Sequence, residues 1–179
     1  MTRLTSHPVD QATGRAAELF VAIKTAFGAV PNTFADIGAN SPAALEAALA
    51  VDSTLSKGSL TTQDIEVIKL AISQQTGCDY CLAAHTVIGR GAGLSKEQIL
   101  AARHGDASSG NAKLDALASF ARVLYQTRGT LPAEHVDAIK AAGYNNKQIV
   151  EILLAISSGI FTNYFNRVND TVIEFPKVT

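Results

Sequence analysis

Long apolar runs are missing from this chain. None approaches the roughly 18 consecutive apolar residues that a membrane-spanning helix needs. The opening stretch, MTRLTSHPVDQATG, has no apolar core of the kind a secretory leader carries. No membrane partner is expected, and the cytoplasm is the expected compartment. An excess of charge of one sign is missing too. Fifteen Lys and Arg stand against sixteen Asp and Glu, a net charge of −1, and the basic residues form no stripe that could hold a phosphate backbone. Nucleic acid is not an expected partner. Cysteine is scarce: two in 179 residues cannot build the disulfide framework of a small secreted domain, so their spacing points to redox or metal chemistry. Short alternating β-branched runs, the mark of strands, are nearly absent.

What is present is apolar. Apolar residues make up 47% of the chain against 17% charged, a balance that folds. The length suits one compact domain over 1–179, with residues 1–14 as an N-terminal arm. Apolar residues recur at helical spacing, and the reading is all-α, with helices near 9–27, 42–56, 62–76, 79–91, 96–104, 111–128, 133–142 and 146–167. Thr61 with Asp64, Ser95 with Gln98 and Asn145 with Gln148 each place a cap and a partner three residues apart. Gly58, Gly93 and Gly143 stand where a helix would stop in a left-handed residue. VPNTF at 30–34 reads as a linker because of Pro31, and GDASSGN at 105–111 as a second one.

A weak internal two-fold repeat runs through the helices. LAIS occurs at 70–73 and again at 154–157, 84 residues on, and the same offset pairs Ile65 with Ile149, Ile68 with Ile152 and Tyr80 with Tyr164. Chemically the copies differ. Glu66, Cys78, Cys81 and His85 of the first face Val150, Thr162, Phe165 and Asn169 of the second, so only the first can be reactive.

The reactive segment is GCDYCLAAH, residues 77–85. On a helix, Cys78, Cys81 and His85 share one face. Gly77 is expected to break the preceding helix and leave Cys78 at the start of a new one, where unpaired N–H groups and the helix dipole favour a thiolate. His85, one turn beyond Cys81, can accept its proton. Two thiols this close can form a disulfide, so an oxidised sulfur on one can be resolved by the other before it reaches irreversible acids. Glu66 lies on the amphipathic helix before them and is the only carboxylate between Asp64 and Asp79.

Glu66, eleven residues, Cys78-Asp79-Tyr80-Cys81, three residues and His85 together resemble the motif of the alkylhydroperoxidase AhpD-like proteins of the carboxymuconolactone decarboxylase superfamily. VPNTFADIGANSP at 30–42, the apolar helix after LTTQD and the GAGLSKEQI stretch are also similar to that family, from about residue 15 to 170. The resemblance implies an AhpD-like helical fold, homo-oligomers (a trimer or hexamer), and reduction of hydroperoxides at a cysteine pair that an external dithiol or thiol-protein re-reduces. It implies Cys81 as the peroxidatic thiol, Cys78 as the resolving one, and Glu66 and His85 as a proton relay, with no bound cofactor and no metal. Tyr80 stands where the family can carry a second histidine; a phenol donates a hydrogen bond but is no base at neutral pH, which makes Tyr80 a possible secondary site residue.

Other readings accompany this one. The pair can act as a thiol–disulfide oxidoreductase, or as a redox sensor without peroxidase turnover. A lactone decarboxylase of the same superfamily uses acid–base chemistry without a cysteine pair. The thiols, His85 and Glu66 can complete a zinc shell, although three ligands within eight residues of one helix fit that less well. His7, His104 and His135 read as solvated surface residues. Asn163, Asn166, Arg167 and Asp170 read as a capped, partly buried helix face, with a subunit contact as the alternative. Phe20, Phe27, Phe34, Phe120, Phe161 and Phe165 read as core or subunit contacts.

Overall fold

A computed structural model of the protein describes residues 2–105 and 108–176. Among these the regular elements are all helical, as the spacing of apolar residues implied. A 3-10 turn at Val9–Gln11 precedes α1 (Gly14–Phe27), α2 (Asn32–Asn40), α3 (Pro42–Ser56), α4 (Thr62–Thr76), α5 (Asp79–Gly91), α6 (Lys96–His104), α7 (Ala112–Gln126), α8 (Ala133–Ala141) and α9 (Asn146–Asn169).

Helix α4 is the axis of the molecule. Val67, Ile68, Leu70, Ala71 and Ile72 are all almost fully buried, and Glu66, Lys69 and Ser73 are buried on the remaining side, which uses up every face of the helix and requires neighbours all round. α5, α6, α7 and α9 supply them. A second apolar cluster joins α1, α2 and α3 through Phe20, Ile23, Ile37 and Leu45. A third is small and consists of Cys78, Tyr80, Cys81 and Ala84, with Phe175 packed against it.

The three expected capping boxes form at the starts of α4, α6 and α9. Asp64, buried in the first turn of α4, also accepts the Tyr144 hydroxyl and so ties that turn to the loop before α9. Gly93 and Gly143 adopt the expected left-handed conformation.

Three expectations are corrected. VPNTF is no linker: Pro31 precedes a helix over 32–40, because a residue just before a first turn has no N–H to lose from the ladder. Within α2, Gly38 lets the helix approach the Phe20 ring so closely that a Cβ there would stand 2.6 Å from it. Gly58 is not a left-handed stop either, since α3 ends on Lys57 in a right-handed conformation. Gly58 instead leaves room for Glu151, whose carboxylate accepts the Ser59 N–H and hydroxyl at 2.8 and 2.7 Å. The expected helix near 9–27 is interrupted at residues 12–13. Of the linker at 105–111, residues 106 and 107 lie outside the described residues, as does residue 1 of the N-terminal arm. The rest of the arm is held: the Arg3 and Leu4 N–H groups donate to the Asn169 carbonyl and side chain at 2.8 and 2.9 Å.

Candidate active site

The corner between α4 and α5 sets the geometry. α4 ends in a paired turn in which the Cys78 N–H reaches back to Ser73 O (3.0 Å) and the Gly77 N–H to Gln74 O (3.2 Å). Gly77 has φ of 63°, a conformation that glycine adopts without a steric penalty. Arg167 of α9 donates to the carbonyls of Thr76 and Gly77, both at 2.6 Å, and so neutralises the end of α4. The next residue, Cys78, is already the N-cap of α5, and its Sγ accepts the Cys81 N–H at 3.3 Å. The expectation of a cysteine at a fresh helix start is met.

Cys78 and Cys81 are joined as a disulfide, with Cα atoms 5.3 Å apart. The two sulfurs open on different surroundings. Cys81 faces a cavity of about 100 Å³ whose wall includes Tyr80, His85, Lys69, Asn166 and Phe175. Cys78 faces a polar basin of about 360 Å³ bordered by Arg3, Asp79, Arg167 and Asp170.

Glu66 and His85, on α4 and α5, come together. His85 Nδ1 lies 2.8 Å from Glu66 Oε2, and the carboxylate is almost wholly buried. A carboxylate on Nδ1 fixes the ring and leaves Nε2 to exchange a proton. Asn166 of α9 donates its amide N–H to Cys81 Sγ at 3.3 Å and is oriented by the Thr33 hydroxyl, which donates to its oxygen at 2.8 Å. Tyr80 donates to Glu174 Oε1 at 2.7 Å and accepts the Thr33 N–H at 3.2 Å. Burial pushes this phenol above its usual range, although the Thr33 hydrogen bonds oppose the shift. The Phe175 ring meets the Tyr80 ring edge-on at 5.5 Å. The segment after α9 thus lies across the cysteine cluster, held also by Asn32, which donates to Glu174 and to the Val172 carbonyl at 2.9 Å each.

Lys69, on α4, is buried. Its ammonium donates to Ser158 Oγ at 2.7 Å and lies 3.7 Å from Asp52 Oδ1. Burial lowers its pKa, while Asp52 and Glu66 work in the other direction. Among the described residues, no three of His, Cys, Asp and Glu converge as a metal site.

The carboxymuconolactone decarboxylase family profile matches residues 40–123, the segment that holds Glu66, both cysteines and His85. That segment of the chain is similar to the carboxymuconolactone decarboxylase family, and the helical fold around it is AhpD-like. A search of curated proteins finds no match. Among solved structures, the alkylhydroperoxidase AhpD core of an uncharacterized peroxidase-related protein from Ralstonia eutropha JMP134 has a TM-score of 0.85 at 18% identity, covering 97% of this chain and 92% of that one. A peroxidase-related protein from Silicibacter sp. TM1040 has a TM-score of 0.81 at 19% identity, over 96% and 94%. The debrominase Bmp8 has 0.80 at 23%, over 97% and 93%, and a cysteine-to-alanine variant of it has been solved with 2,3,4-tribromopyrrole. These are likenesses of fold.

Several residues in and around the cavity wall escape a reading by spacing. Asn166 belongs to the polar run at 163–170, read as a partly buried helix face; Asn163, Asn166 and Asn169 are in fact all buried. Three asparagines at three-residue intervals on an otherwise apolar helix were the available signal. Lys69 had one as well, being the only cation between Ile65 and Thr76. Thr33, Glu174 and Phe175 had none. Of the other histidines, His7 and His104 are exposed as expected, whereas His135 is half-buried. Phe20 and Phe120 are core, whereas Phe27 and Phe161 are exposed.

Proposed function

We propose that this chain is a dithiol peroxidase that reduces alkyl or hydrogen peroxides through Cys81 and Cys78. The observation that carries the reading is His85 in the wall of the cavity onto which Cys81 opens, with Glu66 bonded behind it at 2.8 Å. In the reduced protein His85, held by Glu66, takes the Cys81 proton, and the Asn166 N–H steadies the thiolate. The thiolate attacks the terminal oxygen of ROOH, the O–O bond breaks, and Cys81 becomes a sulfenic acid as ROH leaves. Cys78 then attacks that sulfur and displaces water, which closes the disulfide. An external dithiol or thiol-protein attacks Cys78 from the side of the polar basin and releases Cys81 as the thiolate.

The test is stopped-flow oxidation of fully reduced protein by an organic hydroperoxide, with free thiols counted. Cys81→Ser is expected to abolish the reaction, and Cys78→Ser to allow one fast reduction and then stall. Equal activity in the two variants would sink the assignment. Loss of thiols to a disulfide reagent but not to peroxide would move the function to thiol–disulfide exchange.

We also propose that copies of the chain associate through α9. Val150, Phe161, Tyr164 and Val168 are 65%, 41%, 51% and 60% exposed, and apolar side chains grouped on one helix favour a partner surface.

A further inference from the structure

We propose that Lys69 is the acid of the cavity, its ammonium donating a proton to the alkoxide that leaves when Cys81 breaks a peroxide O–O bond. The inference rests on the dithiol peroxidase reading above.

A charge inside the central helix is costly unless something demands it. Methionine or leucine would fill position 69 with no such penalty. The lysine is nevertheless accommodated in detail. Gly159 on α9 lies against its stem, and a Cβ at that position would stand 3.4 Å from Lys69 Cδ. Ser158 takes one N–H and passes its own hydrogen to Asp52 at 3.0 Å. Asp52 itself, at 3.7 Å from Nζ, is beyond hydrogen-bonding range. An ammonium has three hydrogens, so Nζ keeps donor capacity in the wall of the cavity it shares with Cys81.

The other hydrogen-bond donors of that wall are engaged. Tyr80 donates to Glu174, Thr33 to Asn166, Asn166 to Cys81, and Thr162 to backbone carbonyls of its own helix. His85 and Glu66 serve to remove a proton from the thiol. Cleavage requires the opposite service on the other oxygen. The sulfur–oxygen bond forms at the terminal oxygen, the O–O electron pair leaves on RO⁻, and the Lys69 N–H bond breaks to give ROH. Lys69 is then neutral and His85 carries the proton from Cys81; its return to Lys69 restores the starting charges. Desolvation strengthens the acid by lowering its pKa, and the carboxylates of Asp52 and Glu66 act in the opposite direction.

The experiment uses the full, reduced chain and its Lys69→Met variant with two oxidants, tert-butyl hydroperoxide and peracetic acid. The first expels a strongly basic alkoxide that needs a proton; the second expels a carboxylate, which is stable ionised at neutral pH. The variant is expected to slow oxidation by tert-butyl hydroperoxide about 100-fold and by peracetic acid less than about threefold, as for loss of a general acid. Equal slowing with both oxidants would mean a structural role, and no slowing would mean that His85 returns the proton; either overturns the proposal. If the variant does not fold, the unmodified protein decides. Across hydroperoxides of graded leaving-group basicity its rate should depend less on that basicity than the rate of free dithiothreitol thiolate does, and equal dependence overturns the proposal. If the unmodified protein keeps its thiols with both oxidants, the peroxidase reading itself fails. If it reacts and only the contrast between oxidants is missing, the assignment of Lys69 alone fails.

Discussion

A sulfur that receives an amide N–H ionises more readily than one that does not, because the hydrogen bond favours the charged form. Asn166 gives Cys81 this bond, and Thr33 fixes the direction of the amide. Asn166→Ala is therefore expected to raise the thiol pKa of Cys81 and to slow its oxidation at neutral pH about tenfold, in line with roughly 1.5 kcal/mol for a hydrogen bond to a charged group. Titration of the thiolate by its ultraviolet absorbance in reduced protein checks this, and an unchanged midpoint would remove Asn166 from the site. Cys78, Cys81 and His85 were legible because they share one face of one helix. Glu66 was legible only through resemblance, since its approach to His85 depends on how α4 and α5 fold back on each other. Asn166 lies 85 residues from Cys81 in sequence, a separation that no spacing rule covers.

At the scale of elements, helices bounded by chemistry at both ends were the legible ones. The limits read for α4, α5 and α6 agree with the structure because each is bracketed by capping residues and a glycine or polar stop. α2 was missed because its signals, Pro31 and Gly38, both speak against a helix when read without their neighbours. The repeat shows what makes the first copy reactive. α9 runs unbroken where α4 gives way to α5, and Phe161 occupies the place of Gly77. Ile68, Ala71 and Ile72 and their counterparts Ile152, Ala155 and Ile156 are buried in both copies, whereas Glu66 is buried and its counterpart Val150 is exposed. The segment after α9 adds a cover over the pair. Phe175→Ala is expected to speed alkylation of Cys81 by iodoacetamide in reduced protein about threefold to tenfold, since one ring is removed from the wall while the Glu174 anchor is kept; this is an order-of-magnitude estimate for lost exclusion at a buried thiol. An unchanged rate would show that reagents reach Cys81 by another path.

At the scale of the whole molecule, α9 does two jobs. One face packs against α4 and carries Asn163 and Asn166 inward; the other presents Val150, Phe161 and Val168 outward. By length and composition α9 is the one helix among the described residues that could cross a membrane, yet the buried asparagines bind it to the bundle. Phe161→Glu combined with Val168→Glu is expected to convert an associating chain into monomers in sedimentation velocity, with the helical spectrum unchanged. Assembly that survives both charges would place the interface elsewhere. A different consequence follows from the short reach of the disulfide, which links residues three apart within the first turn of α5. Closing so small a loop removes little freedom from the unfolded chain, and no helix has to move for the bond to open. The chain also contains no tryptophan. Dichroism, hydrodynamic radius and indole emission should all be nearly blind to whether the pair is oxidised, so a preparation can lose its reducing equivalents without any outward sign. Its working state has to be established by mass or by thiol titration before any rate is interpreted.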